Sequence, residues 1–85
     1  MIIEFARTFE KQYVKLPIKL QQKFDFRLEQ WKQNPTSPQL HDHPLDGKYQ
    51  GYRSINVTGD IRALYTKHGN TVVIFGFIGS HSQMY

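Results

Sequence analysis

Apolar positions along this chain change their spacing at definable points, and those points divide it into elements. Ile2, Ile3 and Phe5 cluster at the start, which predicts a short strand over residues 1–5. Phe9, Tyr13 and Leu16 follow at offsets of four and three, the spacing of one helical face, with Thr8 as the expected N-cap. Pro17 interrupts that face, because proline is disfavoured inside a helix but suits the first turn of a new one. A second helix is predicted over 17–33. Its stripe is Leu20, Phe24, Leu28 and Trp31, and Asn34-Pro35 ends it. The two helices should form a hairpin, with Phe5, Phe9, Phe24 and Trp31 serving the core.

The second half changes to shorter runs. Residues 36–46, rich in Pro, His and Asp, read as a loop. Strands are predicted over 51–57, 61–67 and 71–78, with turns at Val57-Thr58-Gly59-Asp60 and His68-Gly69-Asn70. Alternation sets Arg62 and Leu64 on one face of their strand and Ile61, Ala63 and Tyr65 on the other. Residues 79–85 read as a short tail. The expected fold class is α+β, with order β-α-α-β-β-β: a two-helix hairpin packed on a mainly antiparallel four-stranded sheet.

Length and composition narrow the possibilities. Eighty-five residues make a single domain over 1–85 with one modest core. The absence of cysteine excludes disulfides and thiolate metal sites and suits a cytoplasmic protein. No apolar run is long enough to span a bilayer, no membrane association is expected, and the first residues do not resemble a signal peptide. The net charge is +4, and residues 1–40 carry seven Lys/Arg against four Asp/Glu. That balance suits a polyanion or an acidic protein partner. Lys19, Lys23 and Arg27 recur every fourth residue along the second helix. Like charges at this spacing are mildly unfavourable, which is consistent with a grip on RNA phosphates as well as with a solvated face.

The candidate chemistry lies late in the chain. His41, His43, Arg53, Asp60, Arg62, His81 and Tyr85 should approach one another once the strands pair. Histidine changes charge near neutral pH, and arginine matches a phosphate. Two histidines with nearby cations are what RNA cleavage without a metal needs: a base for the ribose 2′-OH, an acid for the departing 5′-oxygen, and fixed positive charge. His41-Asp42-His43 also contains ligand types for a metal, but neighbours this close in a loop do not make a site, and neither metal nor cofactor is expected.

The stretch Leu40-His41-Asp42-His43-Pro44-Leu45-Asp46-Gly47, followed by Gly51-Tyr52-Arg53-Ser54, resembles the YafQ branch of the RelE/ParE toxin superfamily. Asp60-Ile61-Arg62-Ala63-Leu64-Tyr65 is similar to a second motif of that family, and Gly79-Ser80-His81-Ser82-Gln83-Met84-Tyr85 to its C-terminal ending. The resemblance implies a RelE-like fold and the toxin of a type II toxin–antitoxin system: an endoribonuclease that cuts mRNA on the ribosome and is silenced by a cognate antitoxin in a hetero-oligomer. By the same resemblance the catalytic set is His43, Asp60, Arg62, His81 and Tyr85.

Within that set, His43 and His81 are expected to exchange protons, in either order. Asp60 should orient a histidine, Arg62 neutralise the phosphate, and Tyr85 hold a base or ribose. Lys48, Arg53 and Asn56 join Lys19, Lys23 and Arg27 as expected substrate contacts, to mRNA or ribosomal RNA. The family's strand before the first turn carries an Asp and a His where this chain has Ser54 and Asn56, and Ile61 replaces an aromatic residue. Two alternatives share the fold or the charge: a ParE-like inhibitor of DNA gyrase, and a binding module without catalysis.

Overall fold

A computed structural model describes residues 1–84. Strand β1 (Ile2–Phe5) leads into helix α1 (Arg7–Lys15) and helix α2 (Ile18–Gln33). Then come β2 (His43–Pro44), β3 (Arg53–Asn56), β4 (Ile61–His68), β5 (Val72–Ser80) and a helical turn, α3 (His81–Met84). Short 3₁₀ turns at Pro38–Leu40 and Gly47–Tyr49 flank β2. The sheet runs β1-β5-β4-β3-β2. Only the β1–β5 pair is parallel.

The sheet therefore has five strands rather than four. The additional one, β2, is two residues paired with Arg53 and Ser54. So short a strand leaves no alternation to read in the sequence. The third strand is shorter than expected, because Gln50 and Gly51 form a turn, Gly51 with φ +94, and Tyr52 precedes the first paired residue. Within the tail, Gly79 and Ser80 extend β5, and the helical turn after it buries Met84.

α2 starts one residue later than predicted. Pro17 stands at its N-cap, and the Pro17 carbonyl accepts from the Leu20 and Gln21 amides. Thr8 is not the cap of α1. That helix begins at Arg7, with Ala6 at the cap position. The Thr8 hydroxyl instead donates to the Gly76 carbonyl at 2.8 Å. The demand comes from β5, which bulges: Leu64 pairs with Phe77 but Tyr65 with Phe75, leaving Gly76 over. Thr8 serves the Gly76 carbonyl, and Gln12 accepts from the Ile78 amide at 2.9 Å. α1 thus satisfies the backbone groups near the irregularity. A Cβ on Gly76 would lie 3.0 Å from the Tyr52 ring, which explains glycine there.

The core lies between the helices and one face of the sheet. Phe9, Phe24 and Trp31 meet Ile55, Ala63, Tyr65, Val73, Phe75 and Ile78, all buried. Their rings interlock, with Phe9–Phe24 centroids 5.1 Å apart and Trp31–Tyr65 5.3 Å apart. Phe5 is 39% exposed but still packs against Phe9 and Phe75. The predicted division of β4 holds: Ile61, Ala63 and Tyr65 join this core, whereas Leu64 is buried on the outer face between Ser54 and Phe77. There Tyr49 and Tyr52 pack on Phe77 at 5.5 Å each. Among the described residues, no helix is long and apolar enough to cross a membrane.

Candidate active site

Strand register decides which candidate residues share a face. His43 pairs with Ser54, Ser54 with Leu64, and Asn56 with Arg62. Paired residues project to the same side, as do residues two apart on a strand. His43, Ser54, Asn56, Arg62 and Leu64 therefore all belong to the outer face, away from the helices. Arg62 also pairs with Gly79, and Ile61 with Ser80, which brings α3 to the end of this face. The His81 amide donates to the Asp60 carbonyl at 3.0 Å. The register thus aligns His43, Asn56 and Arg62 on one face and sets Asp60 beside His81 at its border. Both Asp60 and His81 are exposed.

Local structure fixes two of these side chains. His41 adopts the left-handed conformation, φ 47. Its carbonyl accepts from His43 Nδ1 at 2.7 Å. Because a carbonyl cannot donate, Nδ1 must carry the proton. In the neutral ring, Nε2 then holds the lone pair. Arg62 Nη1 donates to the Thr58 and Gly59 carbonyls, each at 2.9 Å, which ties the guanidinium to the hairpin turn. Thr58 Oγ1 accepts from the Asp60 and Ile61 amides and stiffens that turn.

The same face holds polar atoms that the protein leaves unmatched. Ser54 Oγ and Asn56 Oδ1 are buried without a hydrogen-bond partner among the described residues. A group left so typically costs about 1–3 kcal/mol. Such exceptions call for an explanation, and a functional site is a common one.

Arg53 is elsewhere. It shares parity with Ile55 and stands on the helix side, where its Nε donates to Asp42 Oδ1 at 2.8 Å. Trp31 Nε1 and the Tyr65 hydroxyl both donate to Asp42 Oδ2. Burial, together with the hydrogen bond to the Asp42 carboxylate and its charge, pushes the Tyr65 hydroxyl up to about 12. The Asp42 hydrogen bond likewise holds the Arg53 guanidinium above its ordinary value, against a smaller opposing effect of burial. A groove of about 540 Å³ opens beside this cluster, lined by His41, Asp42, Arg53 and Lys67 among others, but not by His43, Arg62 or His81. A second groove, about 400 Å³, borders the outer face at Tyr49, Phe77, Gly79 and Gln83.

The remaining candidates are spread out. Lys48 is exposed on the loop that carries Tyr49, with Nζ 5.3 Å from the Tyr49 ring. Lys19 is exposed on α2. Lys23 Nζ and Arg27 Cζ lie 5.7 and 5.9 Å from the centroid of Phe26, which is 61% exposed. Arg27 also donates to the Gln30 side chain and to the Val57 carbonyl, so it fastens α2 to the end of β3. Tyr85 lies outside the described residues. Among the described residues, no three His, Asp or Glu side chains group to hold a metal ion.

Over residues 1–85 the sequence matches the family described as the bacterial toxin of type II toxin–antitoxin system, YafQ. The chain belongs to the YafQ toxin family. No curated protein sequence matches it. Among solved structures, YafQ from E. coli strain BL21(DE3) superimposes with a TM-score of 0.80 at 26% identity, covering 98% of this chain and 96% of that one. YafQ in the E. coli DinJ–YafQ toxin–antitoxin complex gives a TM-score of 0.78 at 26% identity, covering 98% and 94%. The toxin–antitoxin complex RelBE2 from Mycobacterium tuberculosis shares the fold, with a TM-score of 0.73 at 21% identity over 94% and 96%. On this YafQ frame the side chain that sequence reasoning missed is Asp42. Its partners, Trp31, Arg53 and Tyr65, stand eleven or more residues away, so no local motif shows them.

Proposed function

We propose that this YafQ-family toxin is an endoribonuclease that cleaves mRNA on the ribosome, without a metal, by attack of the ribose 2′-OH. The observation that carries the reading is the register aligning His43, Asn56 and Arg62 on one face, with Asp60 and His81 at its border. His43 serves as base, since its Nδ1–H bond to the His41 carbonyl reserves Nε2 as the acceptor. Nε2 takes the 2′-OH proton, and the 2′-oxygen bonds to phosphorus. The bond from phosphorus to the 5′-oxygen breaks, and the His81 imidazolium protonates that oxygen. The products are a 2′,3′-cyclic phosphate and a 5′-hydroxyl. Arg62 stabilises charge on the non-bridging oxygens, held ready by its turn carbonyls. Asp60, whose carbonyl holds the His81 amide, orients His81. Asn56 takes a hydrogen bond from ribose, and Tyr85 stacks on a base.

Lys48 is the auxiliary cation in this reading, since Arg53 is engaged with Asp42 on the other face. Lys19, Lys23 and Arg27 contact the phosphates of mRNA or ribosomal RNA. The site of action is the cytoplasm. A cognate antitoxin, as DinJ is for E. coli YafQ, binds the toxin in a hetero-oligomer and silences it.

Induction of the toxin alone in bacteria tests the class. Translation and growth should stop, with messages cut at discrete positions. Growth arrest with intact messages and accumulating DNA breaks would instead mark a gyrase poison.

A further inference from the structure

The segment bearing His43 is held from the side opposite to its chemistry. Leu40 is fully buried, and Asp42, two residues later, turns toward the helices. His43 turns the other way, onto the outer face, through its pairing with Ser54. Between them the His41 carbonyl accepts from His43 Nδ1, and the two imidazole rings lie 4.9 Å apart. Three consecutive residues thus form one unit: an acceptor, an anchor and the candidate base.

Both oxygens of the anchor are engaged. Asp42 Oδ1 accepts from Arg53 Nε, and Oδ2 accepts from Trp31 Nε1 and the Tyr65 hydroxyl. Two of the donors are nearly inaccessible, with Trp31 and Tyr65 each 2% exposed. They come from α2 and β4, and Arg53 comes from β3. One carboxylate therefore joins three elements to the short segment that precedes β2.

We infer that Asp42 is a positioning residue for His43: its carboxylate, clamped by Trp31, Arg53 and Tyr65, fixes the His41–His43 backbone so that the His41 carbonyl holds His43 in a single tautomer. This rests on His43 acting as the base, but the tautomer can be read whether or not the protein cleaves RNA. Asparagine at 42 preserves the shape but offers one acceptor arm where the site presents donors on both sides. It must turn its NH2 toward Arg53 or toward Trp31, and either choice breaks the clamp.

The test uses the full chain with ¹⁵N-labelled histidine. Nitrogen shifts of His43 are recorded at a pH where its ring is neutral, alongside single-turnover cleavage of one mRNA on ribosomes. In the wild type, His43 should show the Nδ1–H form alone. In Asp42→Asn it should show a mixture of tautomers. The maximal rate should fall about ten- to hundredfold, as small displacements of a reacting group commonly cause, while the concentration for half-saturation shifts less than threefold. A folded Asp42→Asn protein with the wild-type tautomer and maximal rate overturns the inference. If Asp42→Asn does not fold, Tyr65→Phe and Arg53→Met each remove one donor. Both should give the same signature in smaller measure, and the wild-type tautomer in both would overturn it equally. His43→Ala separates the two claims. If it cleaves at the wild-type rate, the base assignment fails, while the tautomer readout still decides the role of Asp42.

Discussion

Raising the pH through the range of tyrosine ionisation should unfold this protein by a route that Tyr65→Phe removes. The Tyr65 ring is 2% exposed, and its hydroxyl donates to Asp42. Burial, with the neighbouring carboxylate, raises its pKa to about 12, from about 10 in an unfolded chain. The folded state thus keeps a proton that the unfolded state releases between these values. Stability from this group is complete below pH 10 and is lost as pH rises through about 12. Two units correspond to about 2–3 kcal/mol. At pH 8, Tyr65→Phe loses a hydrogen bond to a charged acceptor and should be about 1.5–3 kcal/mol less stable than the wild type. Urea denaturation at intervals from pH 8 to 11.5 measures both effects. The other ionisable groups are common to both proteins and cancel in the difference. The stability gap should close as pH rises. A gap that stays constant would refute the reasoning, because Tyr65 would then hold no proton that unfolding releases.

Other expectations follow from the same geometry. Phe24→Ala removes a ring that contacts Phe9 and Phe75 in the core and should cost about 3–5 kcal/mol in urea denaturation. Gly76→Ala forces a Cβ to within 3.0 Å of the Tyr52 ring and should lower the melting temperature measurably. Lys19→Ala and Lys23→Ala should weaken binding to ribosomes and flatten its salt dependence, with near-normal cleavage at saturation. Association with an acidic antitoxin should slow as ionic strength rises, in stopped-flow measurement.

The helices were legible because their signals are local. Pro17 and Asn34-Pro35 bracket the stripe Leu20-Phe24-Leu28-Trp31, and α2 occupies Ile18–Gln33. Both hairpin turns were legible for the same reason. What escaped depends on distant partners. Thr8 looks like a cap in isolation, yet it serves a bulge carbonyl sixty-eight residues on. β2 exists only because β3 offers an edge to two residues. The parity that puts Arg53 on the helix side with Ile55, and Asn56 on the outer face with Ser54, was present in the sequence, but an arginine on the core-facing side makes sense only once Asp42 is seen to meet it. Arg27 is similar: the charge stripe suggests solvent or phosphate, and its tie to the Val57 carbonyl needs the fold.

Single-turnover cleavage of a ribosome-bound mRNA, with chemical identification of the product ends, tests the central claim most directly. The wild type should yield 2′,3′-cyclic phosphate or 3′-phosphate and 5′-hydroxyl ends. His43→Ala, His81→Ala and Arg62→Ala should each slow the step by about 10²- to 10⁴-fold. Ends bearing 5′-phosphate and 3′-hydroxyl, or wild-type rates in both histidine variants, would contradict the account.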